Sequence, residues 1–460
     1  MVMRQELVAR RGKSRIRLWS VLLPLMLIPW LRSTTKNVQV EASPYGGPAD
    51  ALFPDPQGDA QAQKVESDDA FLDHLSRAAF AYFWEQADPG TGLVRDRAHT
   101  DGGSVGVASI AATGFGLTAL CVGAQRGWVT VDQARERVRV TLRFFAGRAF
   151  QQHGWFYHWM DSSTGARQWN SEVSSIDTAL LLAGILTARQ YFAGDAEIVK
   201  LATSIYNRVD FRWMLNGDPM LLSHGWTPEH GFIRYRWSSY CELMILYVLA
   251  IGSPTYAIPA ASWYAWKRPT ITYAGYTYIT DGPLFIHQYS QAWVDFRGRR
   301  DKTGTDYFAN SVAATRAHRA FCLSLARKFP ASYSDTIWGI TASDSAKGYL
   351  AWGGPPMDRQ IDGTVVPCAP GGSLMFTPDI CIPALRAMRV KFGSRVYGRY
   401  GFVDAFNPTT GWTDTDVIGI DLGITLLSAE NERTGSIWKW FMANPEPVHA
   451  LELVALKLHQ

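Results

Sequence analysis

Two kinds of apolar segment alternate along the chain. In Asp68 to Phe83, Val131–Phe145, Glu197–Val209 and Tyr307–Lys328, hydrophobic residues return every three or four positions and polar ones fill the other side. In Ser109–Ala124, Ile176–Phe192 and Cys241–Ile251, apolar residues run all the way round. The first pattern predicts a helix with one face inward, the second a helix buried on every side. The plainest case is Trp169–Phe192, where Glu172 and Asp177 precede eleven uncharged residues, Thr178–Ala188, rich in helix formers and free of Pro. That run is too short to cross a bilayer, which takes about 20 apolar residues. Ser67-Asp68-Asp69 caps the first helix and Asp88-Pro89-Gly90 ends it. Ile380–Val390 and Ile418–Ala429 add two short helices, and only Thr270–Tyr278 and Gly363–Val366 alternate as strands. About twelve helices in one-sided and all-round alternation predict two concentric layers. The expected fold is all-α: an (α/α)6 barrel, a toroid of six helical hairpins. Its long loops carry most of the Trp, Tyr, His and Gly and gather on one face.

The ends have a different character. Arg4, Arg10, Arg11, Lys13, Arg15 and Arg17 precede the apolar Leu18–Leu31, and Val40-Glu41-Ala42 offers a distant cleavage site. Residues 1–42 are therefore expected to be a signal peptide or an N-terminal anchor, placing the protein in the periplasm or outside the cell. The inner membrane is a partner only if that segment is uncleaved. Residues 43–67, rich in Ala, Pro, Gly, Asp and Gln, are expected to be a flexible linker, and 68–460 one catalytic domain.

The leader also carries the net charge of +4: beyond residue 42 there are 37 basic against 39 acidic residues. Nucleic-acid binding thereby loses its electrostatic basis. Five cysteines contain no C-x-x-C pair. Cys121, Cys241 and Cys322 fall in core-like runs, while Cys368 and Cys381 are a candidate disulfide in an oxidising compartment.

No Gly-rich loop follows a strand, so phosphate and dinucleotide binding have no support. His153 and His158 lack a third metal ligand nearby, and Asp414, Asp416 and Asp421 lack the Gly and Glu of a calcium-binding EF-hand. The serines lack a nucleophile elbow. No metal or cofactor is expected. What remains is carboxylates with aromatics: Glu172, Asp177, Glu242, Asp404 and Asp421, together with 18 tryptophans, many in loops. Taken singly, each acid reads better as a helix cap. Gathered at one end of a helical ring, they suit glycosidic cleavage, in which one carboxylic acid protonates the leaving oxygen and a second carboxylate activates water or attacks. Glu242, beside Tyr240 and ahead of an apolar helix, suits the donor, because apolar walls raise a carboxyl pKa. Glu172 and Asp177, five apart at the entry to one helix, suit one wall of the cleft. Aromatic rings such as Trp237 and Trp352 suit sugar faces.

An ordered set of motifs resembles the bacterial glycoamylase-like domain and, within it, the endo-β-1,2-glucanases of glycoside hydrolase family 144. The set comprises Gly92–Arg97 (GLVRDR), Ser109–Leu117 (SIAATGFGL), His153–His158 (HGWFYH), Glu172–Ala179 (EVSSIDTA), Trp237 to Glu242 (WSSYCE), Pro283–Tyr289 (PLFIHQY), Trp338–Asp344 (WGITASD), Tyr400–Asn407 (YGFVDAFN) and Glu430–Gly435 (ENERTG). The resemblance implies an (α/α)6 barrel and a monomeric, cofactor-free hydrolase that cleaves β-1,2-glucan to sophorose or sophoro-oligosaccharides with inversion. It implies Glu242 as general acid and Asp421, or else Asp404, as base. It implies substrate contacts from Glu172, Asp177, Asp96, His153, His158, Trp237, Tyr240, His287, Gln288, Trp338, Trp352, Phe406, Asn407 and Arg433. A retaining transglycosylase and a catalytically silent glucan-binding protein stand as alternatives.

Overall fold

In the computed structural model, residues 66–104, 106–355 and 360–458 are described. Thirteen helices lie among them: α1 (Asp68–Glu85), α2 (Ile110–Gln125), α3 (Val131–Gly147), α4 (Ser175–Tyr191), α5 (Ala196–Asn207), α6 (Met244–Ile251), α7 (Tyr289–Trp293), α8 (Tyr307–Leu325), α9 (Cys368–Gly371), α10 (Pro378–Phe392), α11 (Gly419–Thr434), α12 (Ser436–Met442) and α13 (Pro445–Leu453). All belong to one compact unit. The leader and nearly all of the 43–67 linker lie outside the described residues. No described helix is long and apolar enough to cross a membrane.

The all-round apolar segments are the inner layer. Every residue of α2 except Gln125 is buried, as is every residue of α6. Packing runs in a closed circuit, α11 on α2, α2 on α4, α4 on α6, α6 on α7 and α7 back on α11. The one-sided helices clad this circuit: α1 lies on α2 and α11, α3 on α2 and α5, α5 on α4, and α13 on α6. Around α7 and α9 the helices shrink to five and four residues.

The tightest seam is between α2 and α4. A Cβ on Gly184 would lie 2.0 Å from the Gly114 carbonyl oxygen, and one on Gly114 would lie 2.3 Å from that of Leu180. The two backbones touch, so only glycine fits at either position. Elsewhere in the circuit Gly423 seats the Phe115 ring and Gly372 seats Gln288.

Ion pairs hold the opposite ends of the inner helices. Arg126 pairs with Glu430 at 2.7 Å, Arg189 with Glu446 at 2.5 Å, and Arg433 with Asp69 and Asp73 at 2.7 and 2.9 Å. Arg433 is thus a strut between α11 and α1, remote from the N-terminal ends where the acids gather. Its expected role in substrate binding is corrected accordingly.

Three further expectations change. Cys368 and Cys381 are both free thiols, so no bridge joins them. Gly363–Val366 gives one bridge, Val365 to Phe406, and no strand. Thr270–Tyr278 is a hairpin, Thr270–Tyr273 against Tyr276–Ile279, turning on Ala274 and Gly275 at φ 50° and 82°.

Replacing Gly184 by Ala pushes a methyl into the Gly114 backbone and is expected to cost about 3 kcal/mol or more. Gly147→Ala, with open space around its Cβ, is expected to leave stability unchanged or raise it by up to about 1 kcal/mol. Urea unfolding of the two variants checks the contrast; equal midpoints would refute it.

Candidate active site

Short strands lead directly into three inner helices: Val107–Ser109 into α2, Val173–Ser174 into α4 and Asp416–Ile418 into α11. Ser109 and Ser174 then cap α2 and α4 through their hydroxyls. Two residues tie these entries together through their backbones. Asp96 donates its N–H to Val107 O at 2.9 Å and accepts from Gly419 N at 2.8 Å. His158 accepts from Ile110 N at 3.2 Å and donates to Glu172 O at 3.0 Å. The helix N-termini, and the acids beside them, therefore open on one mouth.

One wall is His158, Glu172 and Asp177. His158 Nδ1 lies 3.1 Å from Glu172 Oε1, and its Nε2 lies 3.4 Å from Asp177 Oδ1. Ser174 Oγ donates to Asp177 Oδ2 at 2.5 Å. Burial alone would lower the His158 pKa; the charges of Asp177 and Glu172 outweigh it and raise it to about 9. Nδ1 then donates to Glu172, and the imidazolium supplies the positive charge between the two acids. Burial raises Asp177, whereas the His158 hydrogen bond brings Glu172 below its usual value against burial. The Trp159 ring stacks on His158 at 3.5 Å, and Trp169, 41% exposed, meets Trp159 edge-on. Trp237 stacks on His224 at 4.0 Å and donates Nε1–H to Ser175 Oγ.

Glu242 sits in the turn just before α6, not within the helix that the Cys241–Ile251 run predicts. Its carbonyl accepts from Ser290 Oγ at 2.6 Å. The side chain is buried; burial, opposed by its own backbone N–H and reinforced by Asp177, raises its pKa to about 7. Asp421 lies in the first turn of α11 and Asp404 in the preceding loop, and their carboxyl groups hydrogen-bond each other. Asp344 N donates to Asp404 Oδ2 at 2.7 Å. Burial raises both pKa values, and the Asp421 charge lifts Asp404 well above the carboxylate range, while the shared hydrogen bond restrains Asp421. The pair therefore holds a proton more firmly than free carboxyls do, with the upward push greater on Asp404.

Around this pair Arg97 reaches Asp344 at 2.6 Å, Asp96 at 3.4 Å and Asp416 at 3.9 Å. Oxygens of Asp344, Asp404 and Asp414 lie within 4.8 Å of one another. Asp414 is raised to about 7 by burial and by Asp344.

The structure thus brings together Glu172, Asp177, His158, Asp96, Asp404 and Asp421, with Glu242 close enough to feel the Asp177 charge. Several expected sugar contacts are corrected, because their side chains are spent in the interior. Tyr240 and His287 hydrogen-bond each other at 3.1 Å in the core, where burial lowers His287 to about 3. Gln288 donates to Ala369 O and Ser373 Oγ, and Trp352 to Ser343 Oγ. Trp338 and Phe406 are sealed at 0% exposure. Asn407 organises its own turn, donating to Asp362 and accepting from the amides of Thr409 and Thr410. His153, half-exposed, stacks on Trp213 at 4.5 Å, apart from either wall.

Sequence reasoning missed Arg97, Asp344, Tyr289 and Tyr349 as members of the site. The first three close the motifs GLVRDR, WGITASD and PLFIHQY, which was the available signal. Tyr349, on a loop with no motif, exposes 36% of its surface, while burial and the charges of Asp421 and Asp404 push its hydroxyl pKa up.

A His158 pKa raised in the folded state means stability fully present below about pH 6.5, the unfolded value, and lost as pH rises through about 9. The histidine resonance assigned to His158 is expected to titrate near 9, and the stability gap between wild type and His158→Gln to shrink from pH 6 to 9.5. Titration near 6.5 would overturn the assignment.

The family model Glycoamylase, described as "Putative glucoamylase", matches residues 234–445. An exo-β-1,2-glucooligosaccharide sophorohydrolase (non-reducing end) from Parabacteroides distasonis is 30% identical over 419 residues, 83% of this chain. The chain spans 57% of the length of that curated relative. An endo-β-1,2-glucanase from Chitinophaga pinensis, solved with sophorotriose and glucose, superposes with a TM-score of 0.79 at 30% identity, covering 85% of this chain and 99% of that one. A Talaromyces funiculosus endo-β-1,2-glucanase solved with sophorose shares the fold alone, at 13% identity, a TM-score of 0.61, and coverage of 85% of this chain and 91% of that one. The chain belongs to the glycoamylase-like family.

Proposed function

We propose that the protein hydrolyses β-1,2-linked glucan to sophorose or short sophoro-oligosaccharides, on a toroid of six helical hairpins whose members near α7 and α9 are cut short. The observation that carries the proposal is the placement of buried carboxyls on facing inner helices, Glu242 ahead of α6 and the Asp404–Asp421 pair at the start of α11. Glu242 keeps its proton to about neutral pH through burial and so serves as general acid toward the leaving oxygen. Asp421, pushed up less than its partner Asp404, is the member of the pair that ionises first, and so serves as base toward water. Assigning these roles to two different carboxyl environments favours Asp421 over Asp404 as base.

The acids enter from different inner helices, Glu242 ahead of α6 and Asp421 on α11, with α7 packed against both. That arrangement supports inversion, which needs room for a water between the carboxyls. His158, Glu172, Asp177 and the Trp159–Trp169 edge supply a polar and aromatic wall on which a chain of glucose units can lie. The names of the two relatives at 30% identity favour the β-1,2 linkage. The basic and apolar leader favours action in the periplasm or outside the cell.

Glu242→Gln is expected to lower kcat by at least about 1,000-fold while leaving folding and oligosaccharide affinity nearly unchanged. Retained turnover would sink the assignment. In the wild type, ionisation of Asp421 sets the acid limb of kcat/KM and loss of the Glu242 proton sets the alkaline limb. Activity is therefore expected to rise well above pH 4 and to fall above about pH 7. NMR of the first product from β-1,2-glucan is expected to show the α-anomer; the β-anomer would instead mark a retaining mechanism, the route a transglycosylase uses.

A further inference from the structure

Tyr289, the first residue of α7, stands where the two sides of the mouth meet. Its neighbour Ser290 is built into the Glu242 segment, donating to the Glu242 carbonyl at 2.6 Å and accepting from Ile245 N at 2.9 Å. Toward the other side the Tyr289 ring packs edge-on against Phe115 at 5.8 Å. Phe115 is the ring against which Gly423 fits, two residues beyond Asp421.

The other buried tyrosines show what a merely structural phenol does. The hydroxyls of Tyr82, Tyr206, Tyr247 and Tyr333 donate to the carbonyls of Arg95, Leu249, Trp237 and Thr364, at 2.6 to 2.9 Å. Tyr289 is also buried, at 6% exposure. Yet among the described residues no hydrogen bond meets its hydroxyl, and that oxygen is not among the sealed, unpartnered polar atoms. A hydroxyl that is neither bonded nor sealed is free to meet a ligand. Burial, and then the charges of Asp421 and Glu242, hold it protonated throughout the working range.

We propose that Tyr289 touches the substrate, donating its hydroxyl proton to a sugar oxygen held between Glu242 and Asp421. The chemistry of the neighbours selects that ligand. A carboxylate only accepts hydrogen bonds, and the phenol has a proton to give. A sugar hydroxyl between them satisfies both, accepting from Tyr289 and donating to Asp421. The contact would fix the ring next to the scissile bond relative to the acid and the base, a constraint worth most in the transition state. This inference rests on the glucan-hydrolase reading above.

Tyr289→Phe removes only the hydroxyl. It is expected to lower kcat/KM on β-1,2-glucan by about 10-fold, mostly through kcat, the upper size of one neutral hydrogen bond. The melting temperature is expected to stay within about 2 °C, because no bond within the protein is lost. Calorimetry supplies a second readout: adding Tyr289→Phe to the inactive Glu242→Gln protein is expected to weaken sophorotriose binding about 3- to 10-fold. Wild-type kcat/KM in Tyr289→Phe overturns the proposal. So does a loss of activity that merely follows a loss of folded protein. If the wild type cleaves a different glucan linkage, the linkage assignment falls and Tyr289 is judged on that glucan. If the wild type cleaves no glycan at all, both fall together.

Discussion

The contact between the α2 and α4 backbones, glycine against glycine, sets the geometry on which the site depends. Side chains of ordinary size keep helices about 8–10 Å apart; Gly114 and Gly184 let these two come closer. That seam fixes the relative height of their N-termini, and with it the positions of His158, Glu172 and Asp177. The same device recurs where Gly423 admits Phe115 beneath Asp421. Close packing of the inner layer therefore does more than bury apolar surface. It sets the distances among acids that repel one another.

That repulsion is the second constraint. Asp96, Asp177, Glu172, Glu242, Asp344, Asp404, Asp414, Asp416 and Asp421 face one mouth, against the positive charges of Arg97 and His158. Helix N-termini favour anions by roughly 0.3–1 kcal/mol each, too little to keep every buried carboxyl ionised. Protons make up the difference, which is why Glu242, Asp404 and Asp414 are all raised. The far end of the same helices carries the opposite arrangement. There Arg126, Arg189 and Arg433 each meet a carboxylate directly, so charges are paired and serve stability. One helix layer thus has a reactive end and a structural end.

Legibility followed from how local each signal was. The buried helices α2 and α4 were readable within a turn or so of their ends because apolar residues all round leave few alternatives. The three strands feeding these two and α11 were not, because two- or three-residue strands carry no periodicity. Glu242 was visible as an acid ahead of an apolar run, but its place in a turn outside the helix was not. His287, Gln288, Trp338 and Asn407 matched family motifs, yet a motif marks a constrained position without saying whether the side chain faces sugar or core. Arg433 shows the limit most plainly: its motif is intact, and the residue braces the opposite end of the molecule.

The sequence by itself determined the helical class, the division into inner and outer helices, and the acids available for chemistry, since all three rest on residue type and near-neighbour spacing. Only the tertiary structure decided which acids share a mouth and which hold protons. Asp404 and Asp421 are separated by sixteen intervening residues yet share a hydrogen bond, and Glu242 owes its raised pKa to walls drawn from distant segments. Burial and like-charge proximity exist only once the inner helices have closed on one another, and those two effects set the proton affinities that acid–base chemistry requires.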